Sequence, residues 1–376
     1  MKTIAFITNN GSTVGNFRGD LIRELAARGD HVLALAPDWD EPQRAVARAC
    51  GAEPVDFSLD RVGLRPLRDL RDTARLWRQL DALKPDIVFG YFVKPVIYGM
   101  LAARAAGVRR RIAMIEGLGF VFTEGEGATT LKRRALRTAA TTLYRLGLGA
   151  AHRVVMLNRD DARQFIDAGM VDAAKVTVLG GIGVDLDRFS APPPVAGPPV
   201  FLMVARLLRE KGVREYVRAA ARVRAQAPGA RFILLGGRDL NPGGLSADEI
   251  DAMVADGIVE WHGHVDNVAD WIRDASVFVL PSYREGVPRS TQEAMAMARP
   301  VVTTSAVGCR ETVEEGVNGF MVPPRDAEAL AAAMMRFVDQ PGLIPAMGAA
   351  SRAMAEARFD VREINRRLIA IIDGEG

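Results

Sequence analysis

A chain of 376 residues with 49% apolar and 25% charged content has the composition of a globular protein, which excludes disordered and collagen-like classes and fits two domains better than one. The formal net charge is only +3 but unevenly spread: residues 1–190 carry 28 Lys/Arg against 22 Asp/Glu, the remainder 21 against 24. Cys50 and Cys309 are too few for a disulfide framework or a metal knot and point to a reducing, cytoplasmic setting.

The first ten residues, MKTIAFITNN, hold a five-residue apolar run that ends in polar residues. That is too short for a signal peptide and reads as a buried first strand. No stretch reaches the eighteen or more consecutive apolar residues of a spanning helix, so a soluble or peripheral protein is expected. Strand candidates follow at 3–8, 31–36, 86–90, 111–115, 153–157 and 175–179, then at 199–205, 231–237, 259–263, 277–281 and 300–304. Helical stretches lie between them at 18–28, 65–83, 95–106, 158–168, 211–227 and 289–298. Alternation of this kind predicts an α/β protein with parallel sheets covered by helices on both faces.

Five prolines fall in the ten residues Ser190–Pro199, which cannot lie inside a helix or a central strand. This linker divides the chain into a first domain, 1–190, and a second, 196–359. The closing helix, 360–376, is a candidate to complete the first domain. Doubly wound units bind ligands beyond the carboxyl ends of their strands, so a cleft between the two halves is the expected site.

Taken along the chain, Gly11 and Ser12 follow the first strand, where a helix N-terminus suits a phosphate. This loop is not a G-x-G-x-x-G fingerprint, which argues against a dinucleotide oxidoreductase. Arg109-Arg110-Arg111 and an acid-free run over 130–153 (Lys132, Arg133, Arg134, Arg137, Arg145, Arg153) make the first domain basic. Such charge suits an anionic lipid surface or a diphosphate, or is simply a solvated helix face. Nucleic acid is not expected, because no aromatic interleaving or recognised binding motif accompanies it. Glu116 ends a strand and opens the loop Glu116-Gly-Leu-Gly119.

In the second half, Arg206 and Lys211 sit five residues apart between a strand and a helix, a fork and a mobile point charge suited to phosphate oxygens. Gly236-Gly237-Arg238 ends another strand and allows close backbone approach. His262-Gly-His264-Val265-Asp266 follows. Glu285-Gly286-Val287-Pro288 is a loop that leads into a helix carrying Glu293. If all intervening residues were helical, the two glutamates would fall about 80° apart around the axis.

The segment Glu285 to Glu293 resembles the E-x7-E signature of the family 4 glycosyltransferases, which have the GT-B fold of two Rossmann-like domains with parallel sheets facing a central cleft. Arg206-(x)4-Lys211-Gly212 resembles the family's diphosphate-binding element, with Ala205 where glycine is commoner. The resemblance implies that Glu285 contacts donor-sugar hydroxyls and Glu293 the nucleotide ribose. Gly286, Val287 and Pro288 would line the sugar and diphosphate, and Gly236, Gly237, Arg238, His264 and Val265 the base. Gly181-Ile-Gly183-Val-Asp185-Leu-Asp187 is similar to a family segment before the linker, so Asp185 and Asp187 are not read as a D-x-D metal site.

Glu116 stands where many members carry histidine. The E-G-L-G loop and Gly236-Gly-Arg-Asp-Leu-Asn-Pro242 resemble a subset that extends undecaprenyl-diphosphate-linked sugars in bacterial glycan assembly. The resemblance therefore implies a retaining transferase with Glu116, Arg206, Lys211 and Glu285 as catalytic candidates and a UDP-sugar as co-substrate. No cofactor or metal is expected. The implied partners are a lipid-linked saccharide acceptor and the anionic inner face of the cell membrane. A non-hydrolysing sugar-nucleotide epimerase, a glycogen-synthase-like polymerase and a catalytically inactive nucleotide-sugar-binding module are the alternatives. The first two match the motifs less well, and the third sits poorly with the presence of Arg206, Lys211, Glu285 and Glu293 together.

Overall fold

A computed structural model describes residues 1–60, 65–117, 131–190, 197–239 and 243–375, with 131–133 described by backbone alone. The chain divides into two compact units, one of Met1–Leu179 with Glu363–Gly376 and one of Gly180–Arg362. Leu118 to Phe120, residues 191–196 of the proline-rich linker and Leu240 to Pro242 lie outside the described residues.

The first unit runs β1 (Thr3–Ile7), α1 (Ser12–Ala27), β2 (His31–Ala36), α2 (Glu41–Ala49), β3 (Ala52–Asp56), α3 (Pro66–Leu83) and β4 (Ile87–Tyr91). A π-helical turn, Pro95–Gly99, leads into α4 (Met100–Ala105). Then come β5 (Arg110–Ile115), α5 (Leu131–Ala150), β6 (Arg153–Met156), α6 (Arg159–Asp167) and β7 (Val176–Val178). Its seven strands are all parallel, in the order β3-β2-β1-β4-β5-β6-β7. The interior strands β1, β2, β4 and β5 are apolar on both faces because helices cover both.

The second unit runs β8 (Val200–Val204), α7 (Val213–Gln226), β9 (Arg231–Leu235), α8 (Ala247–Val254), β10 (Val259–Trp261), α9 (Val268–Arg273), β11 (Val277–Leu280) and α10 (Arg289–Ala296). It continues through β12 (Val301–Thr304), β13 (Gly319–Val322), α11 (Ala327–Asp339) and α12 (Leu343–Arg358). Its six parallel strands are ordered β10-β9-β8-β11-β12-β13. The last helix, α13 (Val361–Asp373), belongs from Glu363 onward to the first unit. Asp373 there accepts from Lys2 at 2.7 Å and Arg28 at 2.8 Å, and Arg110 donates to the Ile371 carbonyl.

In both sheets the strand order reverses beside the first strand of the unit, between β1 and β4 and between β8 and β11. At such a switch point the two neighbouring loops leave in opposite directions and open a crevice at the carboxyl edge.

Helix α1 starts at Ser12, six residues earlier than the sequence pattern suggested. Gly15 and Gly19 interrupt the periodicity there for a packing reason: a Cβ at Gly15 would overlap Val46, and one at Gly19 would sit 3.2 Å from the Cys50 sulfur.

Candidate functional site

At the carboxyl edge of the second sheet, the loop after β8 carries Arg206 and a short helical turn, Arg209–Lys211. It closes on Gly212, which has φ 74° and lies so near the end of β11 that a Cβ would overlap the Pro281 carbonyl. Glycine is required at this contact. The close approach brings Lys211 to the loop after β11, where its Nζ lies 2.5 Å from Glu285 Oε1. Ser282 donates to the same oxygen at 2.7 Å. Both charged side chains are largely buried, and two donors fix one oxygen of the carboxylate.

The backbone of Glu285 is held as firmly. Its N–H donates to the Val307 carbonyl at 3.0 Å, and Gly308 (φ 79°) sits where any Cβ would overlap the carbonyls of Glu285 and Gly286. Cys309 follows, fully buried; burial first, and the nearby Glu285 charge second, push its thiol up to about 12. Pro288 precedes α10 and supplies no side-chain cap, so the first-turn amides of the helix face this same loop. Glu293, one turn in, accepts from Arg289 at 2.8 Å. Behind it the buried Gln292 accepts from Gly183 N at 3.1 Å and donates to the Val287 carbonyl, tying the Gly181–Gly183 segment to the helix.

Arg206 turns to the neighbouring loop after β9, where Nη1 donates to Asp239 at 2.7 Å. That loop is anchored by Gly236, at φ 143°, whose missing Cβ leaves room for the Ala205 carbonyl and whose N–H donates to Gly263. A Cβ at Gly237 would lie 3.5 Å from the His264 Cβ, so the two segments read as a base-binding wall are adjacent. Val265 is half-buried, whereas the His264 side chain is exposed and lies 3.5 Å from Asp266. Arg238 packs over Trp261.

In the first unit, Glu116 ends up at the carboxyl edge beyond β5 and forms an ion pair with Arg18, itself 1% exposed on α1. Arg18 lies over the Tyr91 ring, whose phenol burial pushes up to about 12. Gly11 and Ser12 stand at the start of α1, where their donors are taken by neighbouring side chains. Gly11 N donates to Asp38 at 2.9 Å, and Ser12 N and Oγ both donate to Asn10. A Cβ at Gly11 would lie 2.7 Å from the Trp39 ring, which gives this glycine a packing reason.

The basic segments are also redistributed. Arg110 and Arg111 begin β5, about 20 Å along the strand from Glu116. Arg111 donates to the Ala150 and Val108 carbonyls, as Arg110 does to Ile371. They hold backbone carbonyls at the edge opposite Glu116. Arg145 and Arg153 likewise donate to the carbonyls of Gly169 and Ala174. Asp185 accepts from the amides of Asp187 and Arg188 in its own turn, and Asp187 pairs with Arg362.

Sequence reasoning missed Ser282, Asp239, Arg289, Gln292 and Gly308. Only Gly308, in a Gly-Cys loop directly after a strand, carried a local signal.

Comparison with known proteins gives a consistent result. Residues 12–181 match the model for the glycosyl transferase 4-like domain, and residues 198–340 match the model for glycosyl transferases group 1. The chain is 27% identical over 386 aligned residues to the N,N'-diacetylbacillosaminyl-diphospho-undecaprenol alpha-1,3-N-acetylgalactosaminyltransferase of Campylobacter jejuni, covering 98% of each. It is 26% identical to the UDP-Gal:alpha-D-GlcNAc-diphosphoundecaprenol alpha-1,3-galactosyltransferase of Escherichia coli, over 73% of this chain and 71% of that one. Among solved structures, Anabaena HepE in complex with UDP and glucose superposes with a TM-score of 0.80 at 20% identity, covering 100% of both chains. Sucrose-phosphate synthase from Thermosynechococcus elongatus gives 0.81 at 21%, over 99% and 98%.

Proposed function

This chain belongs to the group 1 and 4-like glycosyltransferases with the GT-B fold, and from that membership we propose that it is a retaining enzyme moving a hexose or N-acetylhexosamine from a UDP-sugar to a polyprenyl-diphosphate-linked saccharide. The observation that carries the reading is the Lys211–Glu285 pair at the β8/β11 switch point, with Arg206 and the start of α10 on the same edge. Two cations and a set of helix amides there suit a diphosphate. Glu285 is held in place to accept hydrogen bonds from sugar hydroxyls, and Glu293 to accept from a ribose.

In this reading the C1–O bond to the β-phosphate breaks, and the acceptor oxygen bonds to C1 on the same face of the sugar. The acceptor proton passes to the departing phosphate oxygen. Negative charge accumulates on the diphosphate as it leaves, and Arg206 and Lys211 stabilise it more strongly than they stabilise the bound donor. Protein cations supply the charge that a metal would otherwise bring, so no metal or other cofactor is required. Glu116 is assigned to the acceptor hydroxyl or the donor sugar.

The lipid-linked acceptor is supported by the two relatives, whose names state diphosphoundecaprenol-linked substrates, the first matching over nearly its whole length. No helix among the described residues is long and apolar enough to cross a membrane. We place the protein peripherally at the inner face of the cell membrane. Calorimetry with UDP-, GDP- and ADP-sugars, beside Arg206→Ala and Glu293→Gln, tests the donor assignment. Binding of one UDP-sugar, lost in both variants, with label transfer to a polyprenyl-diphosphate saccharide, is expected. Donor isomerisation without acceptor would instead identify an epimerase, and no nucleotide-sugar binding would refute the transferase reading.

A further inference from the structure

Helix α3 presents an unusual outer face. Leu67 is 86% exposed, Leu70 68% and Trp77 39%, on a helix whose inner face buries Leu76 and Leu80. At 100° per residue, Leu70 and Trp77 fall about 60° and 80° to one side of Leu67, and Arg78 and Arg71 about 20° and 40° to the other. An apolar strip thus runs beside a basic one. Arg68 and Arg75 reach toward Asp72 at 3.9 Å, while Arg71 and Arg78 are exposed beside the leucines. The helix acids Asp69 and Asp72 are buried, and Asp81, in the last turn, is its one exposed acid.

The placement of the strip is equally specific. Asp69 is bonded to Lys94 at 2.6 Å and to Tyr98 at 3.3 Å, just beyond the end of β4. This pins the start of α3, with Leu67 and Leu70, at the carboxyl edge of the first sheet, the edge that also carries Glu116.

We infer that the outer face of α3 is the surface by which this protein lies on an anionic lipid bilayer, the leucines and Trp77 entering the headgroup boundary and Arg71 and Arg78 meeting lipid phosphates. The inference rests on the membrane part of the proposed function and names its surface. Two leucines and an indole edge fall well short of the roughly 800 Å² per partner of a stable protein interface. They are the right kind of group for shallow interfacial insertion, where charge adds to apolar burial. Elsewhere in the first unit Arg110, Arg111, Arg145 and Arg153 donate to backbone carbonyls, which leaves Arg134 and Arg137, exposed on α5, as the alternative basic surface.

The test uses the full chain, vesicles of phosphatidylcholine with or without one third phosphatidylglycerol, and low salt. Variants are Leu67→Ser with Leu70→Ser, Arg71→Gln with Arg78→Gln, and Arg134→Gln with Arg137→Gln, each checked for unchanged melting temperature and UDP affinity. Wild type should bind only the anionic vesicles. Each lost arginine should weaken binding on the order of fivefold, so the Arg71/Arg78 pair about 25-fold. The Leu67/Leu70 variant should lose binding as well, and the Arg134/Arg137 variant should retain it. Full binding by both α3 variants would overturn this assignment while leaving a membrane role on another surface. A wild-type dimer that becomes monomeric with Leu67→Ser and Leu70→Ser, without change in vesicle binding, would overturn it in favour of a second copy of the chain. Absence of vesicle binding by wild type would refute the membrane reading itself, and this inference with it.

Discussion

Lys211 and Glu285 are 74 residues apart in sequence, yet their charged ends meet at 2.5 Å because each lies in the loop after one of the two strands flanking the switch point of the second sheet. The pair sets the charge of the site before any substrate arrives. Lys211 is already matched by one carboxylate, so under the proposed function an incoming diphosphate would share it with Glu285.

Lys211→Ala removes the cation assigned to the leaving group in the proposed function and, among the described residues, leaves the Glu285 carboxylate the Ser282 hydroxyl. If Lys211 acts as a preorganised charge donor, the barrier rises by about 2.7–4 kcal/mol, or about 10²–10³ in kcat. Single-turnover kinetics at saturating donor measure this. An unchanged kcat with a raised KM would show that Lys211 only binds.

Arg206 is 56% exposed in its pair with Asp239. An exposed pair of this kind contributes about 0–1 kcal/mol, so under the proposed function a diphosphate would displace Asp239 at little cost. Asp239→Asn should therefore shift donor Kd by less than about fivefold, whereas Arg206→Ala should weaken it by at least about tenfold. Calorimetric titration of the two variants separates the roles.

Gly308→Ala places a methyl against the carbonyls of Glu285 and Gly286 at a φ of 79°. The loop must move or the backbone strain, a cost of about 1–3 kcal/mol. A lowered melting temperature together with a fall in kcat is expected; lost stability with full turnover would show that Glu285 tolerates displacement.

Both cysteines are buried, and the Cys309 thiol is pushed up to about 12, first by burial and then by Glu285. At pH 8 it is protonated and shielded. A thiol reagent should leave Cys309 unmodified in the native protein and label it only after denaturant is added, which mass spectrometry of the labelled peptide reads directly.

The Asp373 carboxylate is held down to about 2, chiefly by its hydrogen bond to Arg28 and further by Lys2. A depressed carboxylate stabilises the fold above its unfolded value of 3.8 and ceases to do so as pH falls through 2. The melting temperature of Asp373→Asn should lie below wild type at neutral pH, and the gap should close between about pH 4 and pH 2.

The strand–helix alternation was legible because interior parallel strands are apolar on both faces. Edge strand β3, Ala52–Asp56, was not, since it includes Glu53, Pro54 and Asp56 and is only half-buried. The short helix α2 was lost beside it: it is largely exposed, and its Val46 faces the glycine side of α1. At the site, Arg206, Lys211, Glu285 and Glu293 were visible as residues in a motif. The Lys211–Glu285 and Arg206–Asp239 pairings were not, because which loop faces which depends on strand order. The edge at which Arg110 and Arg111 stand was hidden for the same reason: a basic run says nothing about which edge of a sheet it begins.

The first unit also holds a consequence for biosynthesis. Its last helix is contributed by Glu363 onward, after all of Gly180–Arg362 has been made. The second unit is continuous and has its whole sequence available once Arg362 has left the ribosome. The first must wait for α13, although its sheet is translated first. At 5–20 residues per second that delay is roughly 10–40 s, during which the seat of α13, including Arg28, Lys2 and Arg110, is uncovered in the nascent chain. Truncation that disturbs α13 therefore acts on the sheet of the first unit rather than on the second unit.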